Sequence, residues 1–129
     1  MSFSCLISCY KNDEHKLLVK CLDSIANQTY KPNEVVFVKD GKLSEALEQT
    51  LNLYLHKIPF VFVELTENKG LGNALNEGLQ KCKHDIVIRM DTDDICLPNR
   101  FEVQYNYLIK NQDIDIVGSW AYDIDVNDN

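Results

Sequence analysis

Five short apolar runs, at residues 3–9, 35–38, 58–65, 86–90 and 114–118, constrain this chain more than any other feature. They are rich in Val, Ile and Phe, and each is far too short to be a long buried helix. Between them lie segments of a different period. Leu17, Leu18, Cys21, Leu22 and Ile25 recur at helical spacing, and Asp13 is positioned as a cap for that helix. Ser44 predicts the cap of a second helix, with Leu47, Leu51, Leu53 and Leu55 on or near its buried stripe. Ala74, Leu75, Gly78, Leu79 and Cys82 predict a third. A fourth is expected from about Pro98, a residue suited to a first helical turn, to Lys110, with Phe101, Tyr105, Leu108 and Ile109 as apolar members. Strands alternating with helices predict a mostly parallel sheet covered on both faces, a three-layer α/β/α arrangement in a single domain spanning residues 1–129.

In such sheets ligands sit at the carboxyl ends of the strands. That rule collects Tyr10, Asp40, Asn68 and the cluster Asp91-Thr92-Asp93-Asp94 on one edge. The cluster is the chemically loaded part. Adjacent carboxylates repel and raise one another's pKa unless a cation intervenes. A hard divalent cation is the natural partner, since Mg2+ takes one or two carboxylates together with phosphate oxygens. A solvated acidic turn after a strand would have the same composition, so both readings are open at this point.

The balance of the chain excludes several classes. A formal net charge of −7 is the wrong sign for an extended nucleic-acid surface, although a metal-bound nucleotide remains compatible with it. With 45% hydrophobic residues the chain reads as globular, not disordered. No apolar run reaches membrane-spanning length, and the first residues carry no signal-peptide pattern. The five cysteines include no C-x-x-C pair, which argues against a zinc site and for free, mostly buried thiols in a reducing cytoplasm.

The order of the polar blocks is similar to that of a known family. Residues 6–10 (L-I-S-C-Y), 24–30 (S-I-A-N-Q-T-Y), 38–41 (V-K-D-G), 68–76 (N-K-G-L-G-N-A-L-N) and 89–101 (R-M-D-T-D-D-I-C-L-P-N-R-F) resemble the N-terminal half of the family 2 inverting glycosyltransferases. The resemblance is strongest to bacterial polysaccharide-biosynthesis members of the amylovoran type, and it covers nearly the whole chain. It implies a truncated Rossmann-like nucleotide-diphospho-sugar transferase (GT-A) fold. It also implies that Ser8 and Tyr10 line a nucleotide-base pocket and that Asp40 accepts a hydrogen bond from uracil. Asp93 and Asp94 would contact the ribose and an Mn2+ or Mg2+ ion, with Asp91 in support. Lys39 departs from the two acids that many relatives carry before this glycine. Asp40-Gly41 and the Gly70 and Gly72 loop also have a plain reading as turn chemistry, and Arg89 and Arg100 one as charge balance, Arg100 being structural.

The resemblance further implies transfer of a sugar from a UDP-sugar donor to a saccharide or lipid-linked acceptor in surface polysaccharide biosynthesis. It implies a cytoplasmic protein with peripheral membrane association in its complete form, and a general base lying beyond residue 129. Asp123, Asp125 and Asp128 match no motif. Three other readings fit the chain less well. A phosphorelay receiver lacks its required lysine after the fifth run. A nucleotidyltransferase would need a basic glycine-rich loop where Cys9-Tyr10-Lys11-Asn12 stands. The chain by itself could also be a non-catalytic nucleotide-binding fragment.

Overall fold

The computed structural model of the chain describes residues 2–125 and 127–129. Strands and helices alternate in the order β1 (Ser4–Cys9), α1 (His15–Ala26), β2 (Glu34–Lys39), α2 (Glu45–Leu53), β3 (Phe60–Glu64), α3 (Leu71–Leu79), β4 (Val87–Asp91) and α4 (Arg100–Lys110). Every strand pairing is parallel, and the sheet order is β3-β2-β1-β4.

The central strands β1 and β2 are apolar on both faces because both faces are covered. Cys5, Ile7, Val35 and Phe37 point into the larger core, where α1, α2 and α4 contribute Leu18, Leu22, Leu47, Leu51 and Phe101. Leu6, Val36 and Val38 point the other way, against Ala74 of α3. A Cβ on Gly78 would come within 2.5 Å of Val38 Cγ2 and 2.6 Å of Leu6 Cδ1, so glycine is what lets α3 lie this close to the sheet.

This layering follows from connection handedness. Right-handed crossovers put α1 and α2 on one face as the chain steps from β1 out to β3. Returning to β4, beyond β1, reverses the direction and puts α3 on the opposite face. The reversal between β1 and β4 sends the loops that follow them apart and opens a crevice at their carboxyl ends.

Several expectations are corrected. Residues 114–118 form no strand, and Ile116 is 88% exposed. An apolar run becomes a strand only with a partner to pair with, and the four-stranded sheet does not extend to it. Leu53 and Leu55 are exposed, because α2 stops at Leu53. Leu79 and Ile109 are also exposed, each lying at the solvent side of its helix near the end. The fourth helix starts at Arg100; Pro98 lies in the turn before it, where its carbonyl accepts from the Thr29 N–H at 2.8 Å. Ser44 does cap α2, its Oγ accepting from the Leu47 N–H at 3.2 Å. The cysteines are free, four of them buried. Among the described residues no helix is long and apolar enough to cross a membrane.

Candidate functional site

A cleft of about 440 Å³ occupies the crevice and is lined by Ser8, Tyr10, Asp13, Asp40, Asn68, Gly70, Leu71, Asp91, Thr92 and Asp93. The sheet itself makes this convergence. Ser8 near the end of β1 is in register with Asp91 at the end of β4, and Cys9 is in register with Lys39, which places Asp40 one residue beyond the end of β2. Of the residues expected at the site, Ser8, Tyr10, Asp40, Asp91 and Asp93 all line the cleft. Asp94 does not line it, but a carboxylate oxygen from each of Asp91, Asp93 and Asp94 lies within 4.8 Å of the others, and all three residues are exposed. Three hard oxygen donors so close together suit a divalent cation.

The second-strand loop is locked to the third-helix loop. Asp40 is buried, and its Oδ1 accepts from the Lys69 N–H at 2.7 Å. Gly41 has φ +84°, and a Cβ there would stand 2.9 Å from the Asn68 nitrogen, so the turn reading of Asp40-Gly41 holds as geometry. The loop then turns at Gly70, φ +88°, whose N–H donates to Asn68 Oδ1 at 3.0 Å. Gly70 precedes α3 and makes no side-chain cap, and with Leu71 it lines the cleft, so the positive end of the helix dipole lies at the cleft wall.

Lys39 points away from the cleft. Its Nζ pairs with Glu48 at 3.0 Å and Glu64 at 3.3 Å, and lies 4.6 Å from the Phe62 ring centroid. Burial by itself would lower its pKa, but the two carboxylates outweigh that and hold the ammonium above its ordinary range.

The acidic turn is held from behind. The Cys96 N–H donates to Ser24 Oγ, the Phe101 N–H donates to Gln28 Oε1, and Gln28 Nε2 donates to the Leu97 carbonyl. The Ser24-to-Tyr30 block is therefore a clamp on the chain leaving the acids. Arg100 reinforces it: Nη2 donates to the Arg89 carbonyl at 2.9 Å and Nη1 to Met90 Sδ at 2.7 Å, a structural role as expected. Arg89 pairs with Asp91 at 2.8 Å. Burial, then the charges of Asp91 and Asp93, push the Asp94 carboxyl above the usual carboxylate range, with Arg100 and Arg89 pulling back. Burial pushes the Cys9 and Cys21 thiols far up, so both stay protonated and neither is a nucleophile.

The sequence placed Thr92 on this edge within the acidic cluster but showed neither its bond to Asp13 nor the place of Asp13 in the cleft. Asp13 is no helix cap: α1 is preceded by Glu14, with no side-chain cap bond, and Asp13 Oδ2 instead accepts from the Tyr10 N–H and the Thr92 hydroxyl, each at 3.1 Å. Asp and Asn near a strand end look alike as caps and as turn acceptors, so spacing carried no signal for this contact.

The family model of glycosyl transferase family 2 matches residues 4–129. The chain belongs to that family. Its members include an amylovoran biosynthesis glycosyltransferase, AmsE of Erwinia amylovora, 43% identical over 95% of this chain and 46% of the relative. The UDP-Gal:alpha-D-GlcNAc-diphosphoundecaprenol beta-1,3-galactosyltransferase of Escherichia coli is 38% identical over 97% of this chain and 46% of its own length. The chain thus spans about half of these curated relatives. S. aureus TarS residues 1–349 in complex with UDP-GlcNAc superposes with a TM-score of 0.76 at 24% identity, covering 87% of this chain and 32% of that one. A Pyrobaculum calidifontis mannosyltransferase in complex with GDP-Man and Mn2+ superposes with a TM-score of 0.69 at 25% identity, over 82% and 32%. The family's GT-A fold is the fold described above.

Proposed function

We propose that this chain is the donor-binding part of an inverting glycosyltransferase that moves a sugar from a UDP-sugar to a saccharide or lipid-linked acceptor in polysaccharide biosynthesis. One observation carries the reading. The cleft wall holds the carboxylates of Asp13, Asp40, Asp91 and Asp93 and no basic side chain. A diphosphate is repelled by such a wall unless a cation bridges the two, and three clustered carboxylates at its rim are suited to hold that cation.

Asp91, Asp93 and Asp94 are the residues that would hold Mn2+ or Mg2+. When bound, such an ion supplies the positive charge that neutralises the diphosphate as it leaves. The protein's own groups do the rest. Tyr10 offers an aromatic face and Ser8 a hydroxyl to the base. Asp40 has one oxygen committed to Lys69 and keeps the other to accept from a ring N–H of uracil. Asp93 serves the ribose as well as the ion. The N-terminus of α3, where Gly70 and Leu71 line the same cleft, adds the positive end of its dipole toward the phosphates.

The general base lies beyond Asn129 in this reading. Asp125 accepts from the Asn127 and Asn129 backbone and Asp128 pairs with Lys20, so these tail acids are engaged outside the cleft. The name of the E. coli relative, a galactosyltransferase toward a diphosphoundecaprenol-linked sugar, supports a lipid-linked acceptor, and an acceptor of that kind would bring the complete protein to a membrane surface.

Calorimetry of UDP with and without Mn2+ tests the donor reading. Mn2+ should raise UDP affinity roughly 5- to 150-fold, with UDP raising Mn2+ affinity by the same factor. Equal affinity with and without metal would reduce the cluster to a solvated acidic turn. Tighter binding of GDP or dTDP than of UDP would change the donor.

A further inference from the structure

Asp13 joins the two cleft loops that follow β1 and β4, beyond the last paired residues of those strands, Ser8 and Asp91. Its Oδ2 accepts from the Tyr10 N–H, on the loop after β1, and from the hydroxyl of Thr92, in the turn after β4, both at 3.1 Å. These residues are 79 positions apart, and the bond between their side chains spans the crevice at the point where the sheet order reverses. Thr92 is 7% exposed and stands between Asp91 and Asp93, so fixing its side chain limits how the flanking acids turn. On the other side, the Asp13 N–H donates to the Tyr10 carbonyl at 3.0 Å, closing a tight loop that holds Tyr10 at the cleft. Asp13 is not one of the three clustered carboxylates whose oxygens lie within 4.8 Å of one another.

We infer that Asp13 is a positioning residue that ties the base-binding loop to the acidic turn, so that donor and cation binding are coupled through it. The inference rests on the donor and metal reading of the cleft given above. An ionised carboxylate is the group that fits this post. It is an acceptor without a donor of its own, and it takes an N–H and an O–H at one oxygen. A neutral hydroxyl acceptor would bind both more weakly, and an apolar residue would leave the buried Thr92 hydroxyl without its partner. With the bridge cut, β1 and β4 stay paired as far as Ser8 and Asp91, but the loops beyond them, which carry Tyr10 and Asp93, lose their direct link. The loss then falls on the coupling between the two ligands more than on either one bound alone.

The test is a double-mutant cycle on the 129-residue chain, using Asp13→Ala, Thr92→Val and the pair, with Thr92→Ser as the conservative control. Calorimetry of UDP alone, Mn2+ alone and UDP in saturating Mn2+ gives the coupling factor, and thermal melts check that each variant is folded. Each single variant should cut the coupling factor at least fivefold; Thr92→Val, which removes no charge, should change the affinity for either ligand alone less than twofold, whereas Asp13→Ala also removes a wall carboxylate and should raise UDP affinity without metal. The double variant should lose no more than one single variant does, and Thr92→Ser should keep the wild-type factor. Folded variants with wild-type coupling would overturn the role of Asp13 and leave the donor reading intact. So would losses that multiply in the pair, or a Mn2+ affinity that falls in Asp13→Ala without UDP, which would make Asp13 a metal ligand. If Asp13→Ala does not fold, Thr92→Val and Thr92→Ser decide alone. Absence of any UDP–Mn2+ coupling in the wild type would overturn this inference together with the donor reading.

Discussion

Glu34 shows how much a single buried charge can hold together far from the cleft. It begins β2, is buried, and its Oε2 accepts from Ser4 Oγ at 2.5 Å and from the Lys83 N–H at 2.7 Å. Burial by itself would raise its pKa; the bonds from Lys83 and Ser4 outweigh burial and hold it below the usual glutamate value. An acid depressed in the folded state adds stability above its unfolded pKa and loses that contribution as pH falls through the folded one. Glu34→Ala should cost about 2 kcal/mol at neutral pH in urea unfolding, the scale for charge-assisted bonds left unmade. The gap to wild type should shrink as pH is lowered past the ordinary glutamate range. At the cleft the sign is opposite. Asp93→Asn and Asp94→Asn remove a like charge from a crowded turn, so the ligand-free melting temperature should hold or rise slightly at pH 7. The same variants should lose most of the Mn2+-dependent gain in UDP affinity. A clear drop in melting temperature would mean that these acids hold the fold.

Among the elements, α3 is the one whose place depends on a missing side chain. Gly78→Ala improves helix propensity by up to about 1 kcal/mol. It also drives a Cβ into Val38 Cγ2 and Leu6 Cδ1, and Val38, stiff at χ1 and fully buried, cannot turn aside. Overpacking typically costs about 1 to 3 kcal/mol, so the variant should be net destabilised by roughly 1 to 2 kcal/mol. Chemical denaturation of Gly78→Ala beside Gly72→Ala gives the contrast. Nothing lies within 4 Å of a Cβ on Gly72, so that variant should be neutral or slightly stabilised. The run at 114–118 makes the converse point about elements. Its composition is that of a strand, yet Ile116 stays in solvent because composition supplies no pairing partner.

For the molecule as a whole, binding and transfer should separate. Residues 1–129 should bind UDP with Mn2+ but show little or no sugar transfer, since each cleft carboxylate has a proposed role toward the nucleotide base, the ion or Thr92 and none of them a role toward an acceptor. A protein extending to the length of its relatives should transfer, and should lose that activity in Asp93→Asn. Both proteins can be followed by transfer of label from a radiolabelled UDP-sugar to the acceptor. Robust transfer by residues 1–129 would send the search for the base back to the acids present here.

The period of the apolar residues by itself determined the order of the four strands and four helices that form, the parallel sheet and the edge on which Tyr10, Asp40 and Asp93 meet, but it also predicted a fifth strand at 114–118 that does not form. Those features follow from local spacing and from the general handedness of crossovers, both of which are written along the chain. The five motif blocks likewise carried the family. Tertiary structure alone decided the assignments in which one residue type serves several geometries. Asp13 has the same sequence signature as a helix cap and as a bridge to Thr92. Lys39 could have faced the cleft, and it faces Glu48 and Glu64 instead. Gln28 reads as a polar residue at a helix end, yet it is buried and clamps the backbone at Leu97 and Phe101. In each case the partner lies at a sequence distance that no local pattern encodes, and the choice among acceptors was made only when the sheet brought the candidates within hydrogen-bond reach.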